Sequence, residues 1–157
     1  MANALSQRIE APEFDLDILA ELAGYQLHRA EIESYRKFLK LSRRPKMTPK
    51  QFSTLVLIGA NSGISQIDVG SLLGMDRATT TAVIDKLEGR KLLTRQRSKA
   101  DRRKHELHLT AHGKESLKEM KSRVRAHDEE ITSNLTNAEK KLLRTLLAKM
   151  RGTDGSA

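Results

Sequence analysis

Over residues 64–113 the spacing of apolar side chains changes once, and that change constrains the fold more than any other feature. From Ile64 to Leu87 the apolar residues follow helical spacing; from Leu92 to Leu109 the pattern is strand alternation. Side chains repeat every 3.6 residues in a helix and every two in a strand, so the segment reads as two short helices running into a hairpin. Its charge is uneven. Asp85 to Glu106 holds nine Lys or Arg against four Asp or Glu, a net +5 of the chain's +9. A helix fits the major groove of duplex DNA, and a ribbon with basic ends reaches the neighbouring phosphates or minor groove. The expected fold is mainly α: a winged helix-turn-helix with an α/β wing hairpin and long N- and C-terminal dimerisation helices. The expected partner is double-stranded DNA.

Basic charge alone does not separate DNA from RNA or an anionic membrane. Five aromatic residues among 157 are too few for a platform that stacks single-stranded bases. No apolar run approaches the roughly 20 residues that span a bilayer, and the N-terminus lacks the basic-then-apolar pattern of a signal peptide. A cytoplasmic location without a membrane partner is expected. The absence of cysteine removes disulfides, thiolate metal sites and thiol redox switches.

A first helix is expected from Asp15 or Asp17 to about Ser42, with Leu16, Leu19, Leu27, Tyr35, Phe38 and Leu39 along its apolar stripe, which is interrupted near Glu31 and Ser34. Thr48, Pro49 and Gln51 form a capping box with proline in the first turn of a second helix, which buries Phe52, Leu55, Val56 and Ile58. Ser65 caps a third helix expected to bury Ile67, Val69, Leu72 and Leu73. Gly74 supplies the turn, and Asp76 caps a fourth helix with Thr80, Val83, Ile84 and Leu87 inward. Strands over 92–97 and 104–109 flank the wing loop. Thr110 opens a fifth helix and the Thr136/Glu139 pair a sixth. The leucines of the terminal helices exceed what one small winged domain can bury, so dimerisation falls to Leu16, Leu19, Leu142, Leu143, Leu146, Leu147 and Met150. The regions are then 1–45 (dimerisation arm and helix), 46–112 (winged DNA-binding region), 113–151 (dimerisation helices) and 152–157 (tail).

The run Leu72-Leu73-Gly74-Met75-Asp76-Arg77, followed by Thr79-Thr80-Thr81 and Asp85-Lys86-Leu87-Glu88, resembles the MarR family of transcriptional regulators. The likeness continues through Leu92-Leu93-Thr94-Arg95 and Asp101-Arg102-Arg103 to Leu109-Thr110 and Gly113, and spans about residues 15–150. It implies a homodimer that represses at a pseudo-palindromic operator and is commonly released by a small molecule, often an aromatic carboxylate or related compound. Where many relatives carry an arginine in the recognition helix, this chain has Ala82.

Arg77, Thr79, Thr81, Ala82 and Lys86 form the expected DNA-facing side of the fourth helix. Arginine makes bidentate bonds to guanine, and threonine offers a hydroxyl or a methyl. Arg95, Arg97, Lys99, Asp101, Arg102, Arg103 and Lys104 form the wing set. The resemblance places Arg103 at the wing arginine that enters the minor groove. Asp101 pairs with Arg103 or Arg95 to hold the wing in shape. The competing reading of these charges is a solvated hairpin tip.

An effector site is expected where the first, second and fifth helices meet, with Tyr25, His28, Arg29, Tyr35, Arg36, Met47 and Phe52 as candidates. They combine apolar walls with groups that bind a carboxylate, though each also reads as packing or surface. His105, His108 and His112 do not make a metal site, because 105 and 108 face opposite sides of a strand. Neither a catalytic constellation nor a phosphate loop is present, so neither an enzyme nor a cofactor is expected; the possible ligand is an aromatic carboxylate or thioester effector. The alternative function is a ligand-independent architectural DNA-binding protein.

Overall fold

The computed structural model describes residues 15–41, 47–97 and 105–152, which hold six α-helices and a two-stranded hairpin. The chain divides into two compact units with the boundary at Glu33–Ser34. In the first, a 3-10 turn (Asp17–Ala20) precedes α1 (Ala23–Leu41). The expected unbroken helix from Asp15 or Asp17 is therefore corrected. Asp17 adopts φ +47°, its N–H bonded to Asp15 Oδ1 at 2.9 Å, and regular α-helix begins only after Leu22. From there α1 continues through Glu31 and Ser34. Leu16, Leu19 and Leu27 are exposed.

The second unit contains the remainder of α1, then α2 (Pro49–Ala60), α3 (Gln66–Leu72), α4 (Arg77–Gly89), β1 (Leu93–Arg97), β2 (His105–Leu109), α5 (Ala111–Ile131) and α6 (Asn137–Met150). Local hydrogen bonds set most of these boundaries. Thr48 Oγ1 accepts from Gln51 N while Gln51 Oε1 accepts from Thr48 N, closing the capping box of α2. Ser65, Asp76, Thr110 and Thr136 each accept a backbone N–H three residues on, at the starts of α3 to α6.

Leu55, Ile58, Val69, Ile84, Leu87, Leu93, Leu107 and Met120 are all essentially solvent-free and form one core between α2, α3, α4, the hairpin and α5. Each such side chain contributes about 1.5–3 kcal/mol through burial. Only part of the expected inward face of α3 is buried. Val69 is buried and Leu73 is partly buried, but Ile67 is 80% and Leu72 65% exposed. Residues two apart on a helix are separated by about 200°, so Ile67 cannot share the inward face of Val69.

The hairpin is antiparallel, with Leu93 opposite Leu109, Arg95 opposite Leu107 and Arg97 opposite His105. It is sewn to the end of α2, since Gly63 N donates to Leu107 O and Leu107 N to Ile64 O, both at 3.0 Å. The turn into α5 explains its glycine. Thr110 N and Oγ1 donate to Leu92 O and Lys91 O, and Gly113 N donates to Thr110 Oγ1. A Cβ on Gly113 would stand 1.8 Å from Leu92 O, so no other residue fits without backbone movement.

Candidate nucleic-acid interface

The recognition element is built by the close approach of α3 and α4. Gly74, at φ +59°, makes the turn that a residue with a Cβ adopts at a cost. A Cβ on Gly70 would lie 2.7 Å from Thr80 Oγ1, so the glycine lets the two helices touch. Thr80 is buried, and its hydroxyl donates to Asp76 O at 2.7 Å. Asp76 accepts from Thr79 N at 2.7 Å and from Thr79 Oγ1 at 2.9 Å. The Thr79 backbone bond, then its hydroxyl, hold the Asp76 carboxyl below its ordinary pKa.

These contacts leave Arg77, Ala82 and Lys86 exposed on the outer side of α4. Thr79 and Thr81 are half-buried instead of fully outside. The Thr79 hydroxyl is committed to the cap. Thr81 Oγ1 accepts from Gln66 Nε2 at 2.8 Å and keeps its own proton to donate. Gln66 went unnoticed in the sequence. It follows the Ser65 cap, and only folding brings it beside a residue fifteen positions on. A groove of about 720 Å³ runs past Gln66, Ile67, Ser71, Met75, Arg77 and His105, joining α3, the start of α4 and the wing.

On the wing, Arg97 is exposed, whereas Arg95 is engaged. The Arg95 guanidinium bonds both Glu88 and Asp85 on α4, and its backbone N–H donates to Glu88 Oε1 at 3.1 Å. Arg95 thus ties the hairpin to the recognition helix. Lys99, Asp101, Arg102, Arg103 and Lys104 lie outside the described residues. His108 Nδ1 faces Ser62 Oγ at 2.9 Å; among the described residues no three His, Cys, Asp or Glu side chains come together as metal ligands. Nor is any described helix long and apolar enough to cross a membrane.

The effector candidates separate. Within the first unit, Tyr25 is half-buried, while His28 and Arg29 are exposed. Within the second, Met47 is buried, Phe52 is half-buried, and Tyr35 and Arg36 are exposed. Phe52 stands 6.4 Å from Phe38, which meets the His127 ring edge-on at 5.8 Å. His127 is buried, and its Nδ1 has no hydrogen bond. Its place in a charged helical stretch hid it from sequence reasoning.

Residues 47–105, from Met47 to the first residue of β2, match the MarR family model. A candidate transcriptional regulatory protein for the hcr operon of Thauera aromatica is 30% identical over 132 residues, 83% of this chain and 80% of that protein. The chain belongs to the MarR family. Among solved structures, the transcriptional repressor CouR bound to a 23-mer DNA duplex superposes with a TM-score of 0.84 at 37% identity, over 88% of this chain and 99% of that one. CouR bound to p-coumaroyl-CoA gives 0.82 at 35% identity, over 88% and 98%. MarR regulators are not enzymes, and membership assigns this chain a non-catalytic role in transcription regulation. Relatives include DNA-binding transcriptional repressors, some of them ligand-responsive.

Proposed function

We propose that this MarR protein is a homodimeric, sequence-specific repressor that leaves a pseudo-palindromic operator when a small aromatic carboxylate or its thioester binds. The observation carrying the DNA reading is the exposed face of α4, which carries Arg77, Ala82 and Lys86, with Arg77 on a groove that also passes His105 of the hairpin. Arg77 reads a base or holds a phosphate, Thr81 donates its remaining proton, and Ala82 offers a small apolar contact. Arg103 enters the minor groove, where negative potential is greatest over narrow tracts. Arg97, Lys99, Arg102 and Lys104 hold phosphates, and Asp101 shapes the wing.

Dimerisation rests on apolar surface left open. Leu142, Leu143, Leu146 and Met150 are exposed on α6, as are Leu16 and Leu19 in the first unit, while Leu147 is half-buried. A two-fold partner covers them and sets two recognition helices about 34 Å apart. The effector reading is supported by the p-coumaroyl-CoA held by CouR and by the aromatic cluster of Phe38, Phe52 and His127.

The test begins with selection of bound duplexes from random DNA, followed by titration of the recovered site with aromatic carboxylates and their thioesters at constant ionic strength. One inverted repeat, released by one compound class, is expected. Equal binding to any duplex, insensitive to all compounds, would instead identify a ligand-independent architectural protein. Arg103→Ala should weaken operator binding by about tenfold or more, within the range of a lost base-edge contact.

A further inference from the structure

A second cleft, of about 570 Å³, opens where the end of α2, the hairpin and the first half of α5 meet. Its position follows from the strand register. Buried Leu93 and Leu107 lie on the ribbon face that Arg95 shares, and Arg95 bonds α4. Gln96 and His108 alternate onto the opposite face, and both line the cleft. The cleft thus takes Gln96 and His108 from the ribbon face opposite Arg95, together with Leu109 at the end of β2.

Ile58, Leu109 and Leu117 supply apolar lining, and Ser62 stands beside His108. Along one side run Lys114, Lys118 and Lys121. At spacings of four and three residues their ammonium groups share one face of α5, across roughly 10 Å of helix rise. No carboxylate lines the cleft, and none of the three lysines forms an ion pair among the described residues. Of the acids nearby, Glu119 pairs with Arg123, Glu106 lies 3.6 Å from His108 Nε2, and Glu115, next to Lys114, is exposed outside the lining. That buried nitrogen also has no hydrogen bond. Like charges at these spacings repel, so three unpaired ammonium groups around a concave, partly apolar space favour an anion that neutralises them.

We propose that this cleft binds a phosphorylated small molecule of nucleotide size. Its phosphates would lie along Lys114, Lys118 and Lys121, with the apolar portion against Leu109 and Leu117. The volume falls within the range of small-molecule sites. A bound molecule would join the wing to α5 and bias the hairpin's setting relative to the helical body. The proposal does not depend on the aromatic effector; a free nucleotide and the nucleotide handle of a thioester offer the same chemistry.

Calorimetric titration of the full chain with ADP, pyrophosphate, coenzyme A and uncharged adenosine, at fixed ionic strength, tests it. Saturable binding of ADP, one per chain, with adenosine at least about tenfold weaker, is expected from the loss of charge-assisted bonds. Coenzyme A displacing ADP would point to a thioester handle as the source, and ADP binding without such displacement to a free nucleotide; either supports the site. The triple variant Lys114→Gln, Lys118→Gln, Lys121→Gln should bind ADP at least about thirtyfold more weakly, a modest sum for three charged contacts. Lys118→Arg should retain binding, and thermal melts confirm that both variants fold. The proposal is overturned if none of the charged probes binds, or if the triple variant keeps wild-type affinity for ADP. It is equally overturned if the triple variant loses only affinity for duplex DNA, which would assign the lysines to the phosphate backbone.

Discussion

The winged region and the sixth helix treat their leucines in opposite ways. Between α2 and the start of α5, Leu55, Leu87, Leu92, Leu93 and Leu107 are all within 1% of complete burial. Helix α6 buries none of its fourteen residues, although its leucines recur at the same helical spacing. Both carry well-formed caps, so capping does not explain the contrast. The winged region closes because the hairpin covers what the helices leave open, with Leu107 and Leu93 completing the core. On α6 the ion pair from Lys140 to Glu129 anchors the helix to α5 without covering Leu142 or Leu146. A foldable segment can thus be finished as secondary structure and unfinished as tertiary structure, and the open leucine face is where a second chain is expected.

The sharpest way to break this contrast is to disturb the closed region at its tightest point. Gly113→Ala should cost at least about 3 kcal/mol, the upper end of overpacking, because its Cβ meets a backbone carbonyl that cannot rotate away. Urea unfolding checks this, and a midpoint near wild type would show that the turn into α5 yields more easily than its geometry implies.

The open face should respond differently. If α6 forms the proposed dimer interface, the wild type should sediment as a dimer and Leu142→Asp with Leu146→Asp as a monomer, with the far-ultraviolet helical signal largely kept. Operator affinity should then fall by about 100-fold or more, because two tethered half-site contacts become one. A variant still dimeric with unchanged affinity would place the interface elsewhere.

Arg95→Met asks how much the closed region depends on charge. The guanidinium links Glu88 and Asp85, but all three groups keep some exposure, so a loss of about 1 kcal/mol is expected. The difference from wild type should shrink as salt rises, since partly exposed pairs are screened. A difference that is constant in salt would point to packing of the arginine stem instead.

The smallest effect belongs to the cap of the recognition helix. Hydrogen bonds from Thr79 lower the Asp76 pKa in the folded chain below its ordinary 3.8. A depressed carboxylate contributes stability above the unfolded pKa and loses it as pH falls through the folded one. The gap in urea midpoint between wild type and Asp76→Ala should therefore be constant near neutrality and narrow below pH 3.8. A gap independent of pH throughout would remove the charge from the explanation.

Much of this architecture was legible before any coordinates because it is local. Thr48 with Gln51, Asp76 with Thr79, and Thr136 with Glu139 are bonds across three residues, so residue types at fixed spacing suffice to find them. The inward set Thr80, Ile84 and Leu87 follows from helical period alone. Periodicity failed on α3, where seven residues carry apolar groups on more than one side; only the packing of α4 and the hairpin selects Val69 over Ile67. It also read the first helix as unbroken, because the interruption at Glu21–Leu22 lies between residues of similar propensity.

By itself, then, the sequence determined the capped helices α2 to α6, the hairpin, the basic charge concentrated around it and the family. Tertiary structure decided what joins residues distant in the chain: Gln66 to Thr81, Arg95 to Asp85 and Glu88, His127 against Phe38, and three lysines of α5 beside His108. Propensity and period report on neighbours within one or two turns. Which charges meet, and which apolar faces remain uncovered, depends on how separate elements share a limited volume, and that is set only when the core closes.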